Sequence, residues 1–382
     1  MARSLPATTA AGCLLRAVAP IALVALGVLC VIGATGALSQ PADSQKPRRA
    51  VTERTLSRLL LQAAAFAGKR IVAVGEHGYI IYSDDSGKTW MRAPSLRRAM
   101  LTAVAFADDK IGWAAGHDGQ ILATRDSGTT WTEQRYKPDD KLPLFALHFS
   151  DASHGFALGA YGLFLETANG GGTWSARPIV QEDRHLYAIA ADATGRMAIA
   201  AEAGTLLLSQ DRGATWAMAA SPYKGSFFGL VLPSDGALLA YGLRGNVFRS
   251  SDFGKSWTAS RVDGSATLQG GAQLAGGEIV LVGSAGVVLS SRDNGASFLR
   301  VAGQKAITYS AVLPVSSGAL LLGESGAIQY RLSGPAAGAA SAAPVVVPNA
   351  APASSATAPA TTMPAATQPD APSTAAGAPA KR

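Results

Sequence analysis

One eight-residue pattern, Ser/Thr-x-Asp-x-Gly-x-Thr/Ser-Trp, recurs six times along this 382-residue chain. The copies are Ser83-Asp85-Gly87-Thr89-Trp90, Thr124-Asp126-Gly128-Thr130-Trp131, the amide variant Thr167-Asn169-Gly171-Thr173-Trp174, Ser209-Asp211-Gly213-Thr215-Trp216, Ser250-Asp252-Gly254-Ser256-Trp257 and Ser291-Asp293-Gly295-Ser297-Phe298. From Asp85 onward they lie 41, 43, 42, 41 and 41 residues apart. Chance does not keep six copies in register, and a fixed period of this size marks an architecture that stacks one supersecondary unit.

A second motif, Gly-x-x-Gly followed by alternating apolar residues, precedes each copy. It stands at Gly75/Gly78, Gly116/Gly119, Gly159/Gly162, Gly242/Gly245, Gly283/Gly286 and Gly323/Gly326, with Ala201/Gly204 as a variant. That makes seven units, one more than the boxes. Each unit reads as four short strands between turn residues. In the second unit they fall at 101–106, 111–115, 120–124 and 131–134. A two-residue hairpin bounded by Gly suits the twisted primed turns. Four strands per unit, seven times over, predicts an all-β seven-bladed β-propeller of four-stranded antiparallel blades. A β-solenoid has shorter coils and lacks this hairpin punctuation. The seventh unit stops at Tyr330-Arg331-Leu332-Ser333, before any fourth strand. Residues near Arg49–Glu53 are expected to supply that strand and close the ring, which removes two open edges.

The ends of the chain differ in kind from its middle. Residues 1–39 read as an export signal, in which Arg3 and Arg16 flank an apolar run from Ala17 to Leu38 and Ala37-Leu38-Ser39 offers a cleavage site. An uncleaved anchor is the alternative, because about 20 apolar residues span a bilayer. Residues 40–48 read as a linker, 49–333 as the propeller and 334–382 as a disordered Ala/Pro-rich tail. The tail holds nine of the 20 prolines and too little apolar surface to offset its ordering entropy. Both cysteines, Cys13 and Cys30, lie in the leader, so the exported ring is held by packing, without disulfide or thiolate metal site. A charged fraction of 15% against an ordinary value of about 25%, together with 42 Gly, excludes a coiled coil. The net charge of +7 is mild for this length, and with export it argues against nucleic acid.

The repeated box matches the Asp-box, or BNR, repeat of sialidases and other exported propellers. The pairing of Gly-x-x-Gly with the box, over seven units behind a signal, resembles more specifically the Ycf48/Hcf136 family, across about residues 50–333. The residues that carry it are Val74-Gly75-Glu76-His77-Gly78 through Trp90 and Trp113-Ala114-Ala115-Gly116-His117-Asp118-Gly119 through Trp131. The resemblance implies an assembly or stability factor that binds membrane-protein subunits, in plants and cyanobacteria those of photosystem II. The Ala/Pro tail departs from that pattern.

A motif repeated around a ring cannot converge on one site, so the box residues Asp85, Asp126, Asn169, Asp211, Asp252 and Asp293 read as turn-capping side chains. Trp90, Trp131, Trp174, Trp216, Trp257 and Phe298 then read as rings buried between sheets. Trp113, in a second strand, is expected to be buried against the next blade. Antiparallel strands put the second-to-third hairpins and the blade-to-blade links on one face, with the boxes on the other. That face presents the hairpin groups Glu76, His77, His117, Asp118, Tyr161 and Arg244. It also presents a rim of bases, Arg58, Arg98, Lys141, Arg184, Lys224 and Lys305, which suits an acidic partner. The bland alternative is solvated loop charge, neutralised by neighbours such as Asp140, Asp183 and Asp263. His77 and His117 with Glu76 and Asp118 fit no tight metal motif, and no cofactor is expected. A sialidase-type hydrolase is the enzymatic rival, with Arg98, Tyr161, Glu202 and Arg244 as its candidate groups. The Arg-Ile-Pro segment of that family is absent near the start, and seven units fit poorly with its six blades. The reading is therefore a non-catalytic, exported, monomeric ring. Its partner is a protein, the extracytoplasmic part of a membrane complex, with peripheral membrane association open.

Overall fold

The structure, a computed structural model, describes residues 49–331 together with the backbone of Val345–Val347. The leader, the linker and the rest of the tail fall outside the described residues. Among those described, no helix is long and apolar enough to cross a membrane.

Seven antiparallel sheets form the ring expected from the repeat. In the second blade the strands run Leu101–Phe106, Gly112–Gly116, Ile121–Thr124 and Thr132–Arg135, each within about a residue of the spacing-based bounds. Second strands such as Met197–Ala201 and Ile279–Gly283 are buried along their whole length. Neighbouring blades cover both of their faces, so their sequences read as continuous small and apolar runs rather than alternating ones. The core is correspondingly divided between blades. Val72, Val74, Ile80 and Tyr82 of blade 1 pack with Leu101, Ala114, Leu122 and Trp131 of blade 2. Trp113 is buried in the same way: its ring stacks on Phe149 of blade 3 at 3.4 Å, and its Nε1–H donates to the Gly170 carbonyl at 3.0 Å.

Closure of the ring differs from the expectation. Arg49–Val51 does pair with a blade, but with the outer strand of blade 1, in the register Arg49↔Arg92, Ala50↔Met91 and Val51↔Trp90. Blade 7 has three strands among the described residues, Tyr309–Val315, Gly318–Gly323 and Gly326–Arg331. Val51 and Leu56 pack on a shared core of Leu59, Leu61, Ile71 and Trp90 with Leu313, Leu320 and Leu322, which holds the segment against blade 1. The same core joins blade 7 to blade 1. The Gly326 amide adds a hydrogen bond to Leu59 O at 2.9 Å, and Gln329 Nε2 one to Ser86 O at 3.0 Å. Side-chain packing closes the ring where strand exchange was expected.

Two further strands were not foreseen. Arg261–Val262, on the link after blade 5, runs parallel to Ser297–Phe298 of blade 6. Within the segment read as a disordered tail, Val345–Val347 pairs antiparallel with Trp257–Ala259 of blade 5. Three consecutive valines are stiff, strand-favouring residues in an otherwise Ala/Pro-rich stretch.

Candidate functional site

Each second-to-third hairpin is tied to the link that leads into its own blade. The amide after the first Gly donates to a link carbonyl, as Glu76 does to Leu60 (3.0 Å), His117 to Met100 (2.8 Å), Glu202 to His185 (2.9 Å) and Glu324 to Thr308 (3.1 Å). Hairpins and links therefore share one face. The first Gly permits the approach: a Cβ at Gly75, Gly116 or Gly283 would stand 2.0, 2.0 or 1.9 Å from the link oxygen. Where Ala201 replaces it, φ is −144° rather than the −174° of Gly75, and the methyl is accommodated.

The turn is displaced by one residue from the Gly-bounded dipeptide. Tyr79 N donates to Glu76 O at 3.0 Å, and positive φ falls on His77 (53°) and Gly78 (66°). Asp118, Tyr161, Ala203, Arg244 and Ala285 repeat the pattern. It is a primed turn, centred on the second variable residue and the second Gly. Blade 7 alone keeps Glu324-Ser325 between directly paired Gly323 and Gly326. The shift sorts the hairpin groups. His77, Tyr161 and Arg244 stand exposed at the tips, while Asp118 is half-buried there. First-position residues instead lie beside the link. Glu76 Oε1 accepts from Leu60 N (3.0 Å), Glu202 Oε2 from His185 N (3.3 Å) and Glu324 Oε2 from Thr308 N (3.0 Å). Glu76 is thus a loop-pinning group, and His117, exposed, is likewise in the first position.

Of the rim bases, Arg58, Arg98, Lys141, Lys224 and Lys305 are exposed and form no ion pair among the described residues. Arg184 is half-buried and held by the Glu182 carboxylate, its Nε donating at 2.6 Å. Asp140 is turned to Arg135 at 3.4 Å. Asp183 and Asp263 remain exposed on the same links, so the rim is mixed in sign with bases in excess.

A ring of residues missed by the sequence reading lies inside this rim. Every inner strand carries a β-bulge at its second residue, between Leu61 and Ala63, Leu101 and Ala103, Leu144 and Ala146, Leu186 and Ala188, Phe227 and Gly229, Leu268 and Gly270, and Tyr309 and Ala311. Bulges re-aim side chains. Here the extra residues are Gln62, Thr102, Phe145, Tyr187, Phe228, Gln269 and Ser310, and all seven line the central channel, a cavity of about 520 Å³. Because each inner strand begins at its link, this ring is the channel mouth on the hairpin face.

The mouth is divided. Blades 3, 4 and 5 contribute aromatics: Phe145 and Tyr187 lie 5.7 Å apart at 32°, and Tyr187 and Phe228 5.0 Å apart at 71°. His185 and Tyr161 extend this arc outward, with their rings 4.8 Å apart and edge-on. The Tyr161 amide donates to His185 Nδ1 at 3.0 Å, which places the ring proton on Nε2. Burial, reinforced by the Glu202 carboxylate, pushes the Tyr187 phenol up, so it remains a donor. The other four blades place amides and hydroxyls. The recoverable signal was positional: the residue after the first buried apolar side chain of each inner strand varies freely between blades.

The box side chains hydrogen-bond within their own turns, and of the box rings Trp90, Trp131, Trp257 and Phe298 are buried while Trp174 and Trp216 are half-buried. Asp85 Oδ1 accepts from the Ser83 hydroxyl (2.8 Å) and from the Lys88 and Thr89 amides (3.0 and 2.8 Å), and Oδ2 from the Thr89 hydroxyl (2.6 Å). Asn169 keeps the pattern, with Oδ1 accepting from Thr173 N and Nδ2 donating to the Thr173 hydroxyl. The box turns also lock blades together. Arg70 reaches Ser127 O and the Thr129 hydroxyl, Gln134 reaches Gly170 O, and Arg177 reaches Gly213 O. On that face a groove of about 720 Å³ between blades 3 and 4 is lined by Asp151, His154, Glu166 and Arg177. Of its charged groups Asp151, Glu166 and Arg177 are engaged internally, while the exposed Arg212 forms no ion pair among the described residues. Arg177 holds Glu166 at 2.8 Å, and backbone hydrogen bonds from His154 and Ser153 bring Asp151 down to about 2. Among the described residues no cluster of three or more metal-capable side chains occurs, and no hydrogen bond or ion pair joins Arg98, Tyr161, Glu202 and Arg244.

The molecule is thus a seven-bladed Asp-box propeller, locked through its boxes on one face and carrying hairpins, links and bulged side chains on the other. It is similar to the Ycf48 family over part of its length: residues 139–286 match the family described as Photosynthesis system II assembly factor YCF48. Among solved structures it is similar to YCF48 bound to D1 peptide (18% identity, 74% of this chain and 95% of that one, TM-score 0.61). It is similar also to YCF48 from Cyanidioschyzon merolae (16%, 73% and 97%, TM-score 0.59). A virginiamycin B lyase from Staphylococcus aureus is alike in shape (11%, 71% and 94%, TM-score 0.61). At these identities the structural likeness establishes the fold alone. Among curated proteins none matches the sequence.

Proposed function

We propose that this chain is a non-catalytic binding propeller, exported from the cytoplasm, whose hairpin-and-link face takes up a segment of a protein partner in the manner of an assembly or stability factor. One observation carries the reading. All seven blades direct their hairpins, their links and a bulged side chain to the same face, around one channel mouth. A rigid ring that gathers many loops offers a broad surface at little reorganisation cost. The family match over residues 139–286 supports the same role, as does the D1 peptide bound to a structurally similar YCF48. The leader motif of residues 1–39 supports a partner outside the cytoplasm, which we take to be the extracytoplasmic part of a membrane complex.

Combined charge reversal at Arg58, Arg98 and Lys224 tests the reading. Reversal of all three to Glu is expected to abolish chemical crosslinking to the partner in native membranes, with the circular dichroism spectrum unchanged. Undiminished crosslinking by a folded triple variant would overturn it. A fusion of residues 1–60 to a reporter active only outside the cytoplasm tests export, and an inactive fusion would refute it.

A further inference from the structure

The divided channel mouth suits a particular kind of segment, and the inference rests on the binding role proposed above. We propose that the mouth is a socket for one aromatic side chain carried by an acidic, extended stretch of the partner polypeptide. Phe145, Tyr187 and Phe228 form a continuous apolar arc over three consecutive blades. Their rings are tilted and edge-on rather than coplanar, which makes a pocket for a side chain and not a flat platform for a sugar ring. Edge-to-face contact is the arrangement aromatic quadrupoles favour.

Across the channel, Gln62, Gln269 and Ser310 make no side-chain hydrogen bond to any described residue, although Thr102 is already spent on Leu144 O at 2.6 Å. An extended backbone carries unpaired N–H and C=O groups along its length. Two free amides and a hydroxyl facing an aromatic arc therefore meet both halves of such a segment. The channel volume of about 520 Å³ lies within the range of small-ligand pockets and has room for one side chain.

The surrounding charge favours acid, although Asp139 and Asp183, on the links into blades 3 and 4, are exposed carboxylates with no ion pair among the described residues. Glu76, Glu202 and Glu324 are folded onto backbone amides, and Glu182 and Asp140 onto Arg184 and Arg135. Lys141, on the link into blade 3, and Lys224 and Arg244, on blade 5, belong to the two end blades of the arc and have no ion pair among the described residues. Carboxylates on either side of the inserted ring would meet these bases at partly desolvated positions, where charge complementarity fixes register and steers encounter.

The repeat supplies its own control. Blades 1 and 6 carry Gln at the bulge where blades 3, 4 and 5 carry aromatics. Phe145→Gln, Tyr187→Gln and Phe228→Gln together therefore install a residue the bulge already accepts. The probe is the amidated, fluorescein-labelled peptide Gly-Asp-Glu-Trp-Glu-Asp-Gly, titrated with the full chain by fluorescence anisotropy. The triple variant is expected to weaken binding by about tenfold or more with its melting transition retained, as is Trp→Ala in the peptide. Lys in place of the peptide acids is expected to weaken it likewise. Equal binding of the Trp and Ala peptides, or an unchanged affinity of the triple variant, would overturn the socket. So would saturable binding of N-acetylchitotetraose lost on the same substitutions, which would reassign the arc to a saccharide. If the peptide arms fail while the charge-reversed variant still loses crosslinking to its partner, the socket falls and the binding face stands.

Discussion

Asp85 accepts hydrogen bonds from the Ser83 and Thr89 hydroxyls and from two turn amides, and its ionisation follows from that environment. Burial alone would raise it, but the donors from Thr89, Ser83 and Lys88 outweigh burial and hold it at about 2, against the usual 3.8. Asp252 behaves alike, at about 2. In Asp211 the Thr215 hydroxyl leads the same lowering. Protons therefore bind the unfolded chain first as pH falls. The stabilisation is whole above about pH 4 and drains away as pH drops toward about 2. The melting temperature is expected to be level from neutral pH down to that point and then to fall. In an Asp85→Asn, Asp252→Asn variant it is expected to start lower and fall less steeply, and an unchanged slope would contradict the assignment. Gly283 makes a second case at this scale. A methyl there would meet Thr267 O at 1.9 Å, so Gly283→Ala is expected to cost about 1–3 kcal/mol in urea unfolding. Ala201→Gly, at a position that has already made room, is expected to cost about 1 kcal/mol or less.

At the scale of strands and turns, the repeat made the blades legible because its spacing counts strands. Turn residues bounded them to within about a residue. It did not disclose which two residues form the hairpin turn, since Gly-x-x-Gly is compatible with either centre until the link carbonyl above Gly75 is in place. Nor did it reveal the bulges, which insert one residue without breaking the period. Gln62 and Tyr187 look like ordinary strand residues in sequence. The outer strand near Arg49–Glu53 was foreseen in existence and misplaced in partner, because pairing with blade 1 or blade 7 depends on where Val51 and Leu56 find apolar contact. Two outcomes follow from the corrected closure. Leu320→Ala, which opens a cavity in the core shared by blades 7 and 1, is expected to cost about 2–5 kcal/mol. Deleting residues 49–51 is expected to leave the circular dichroism spectrum and cooperative unfolding intact. Loss of folding on that deletion would show that the strand itself, and not the shared core alone, is needed for closure.

For the whole molecule, the division of labour between two faces is the claim from which the rest descends. The boxes spend their polar groups within their own turns and on neighbouring blades, while the hairpin face keeps bases and side-chain amides without ion-pair or hydrogen-bond partners among the described residues, beside an arc of aromatic rings that contact one another. As a ring closed on itself, the chain is expected to sediment as a monomer at micromolar concentration. A self-associating species whose dissociation follows Tyr161→Ala would instead make the partner a second copy. The most direct measurement is site-specific photocrosslinking in native membranes. A benzophenone amino acid is placed at Tyr161 on the hairpin face or at Ser86 on the box face. The account expects a discrete protein adduct from Tyr161, lost on charge reversal at Arg58, Arg98 and Lys224, and none from Ser86. An adduct from Ser86 alone would contradict it.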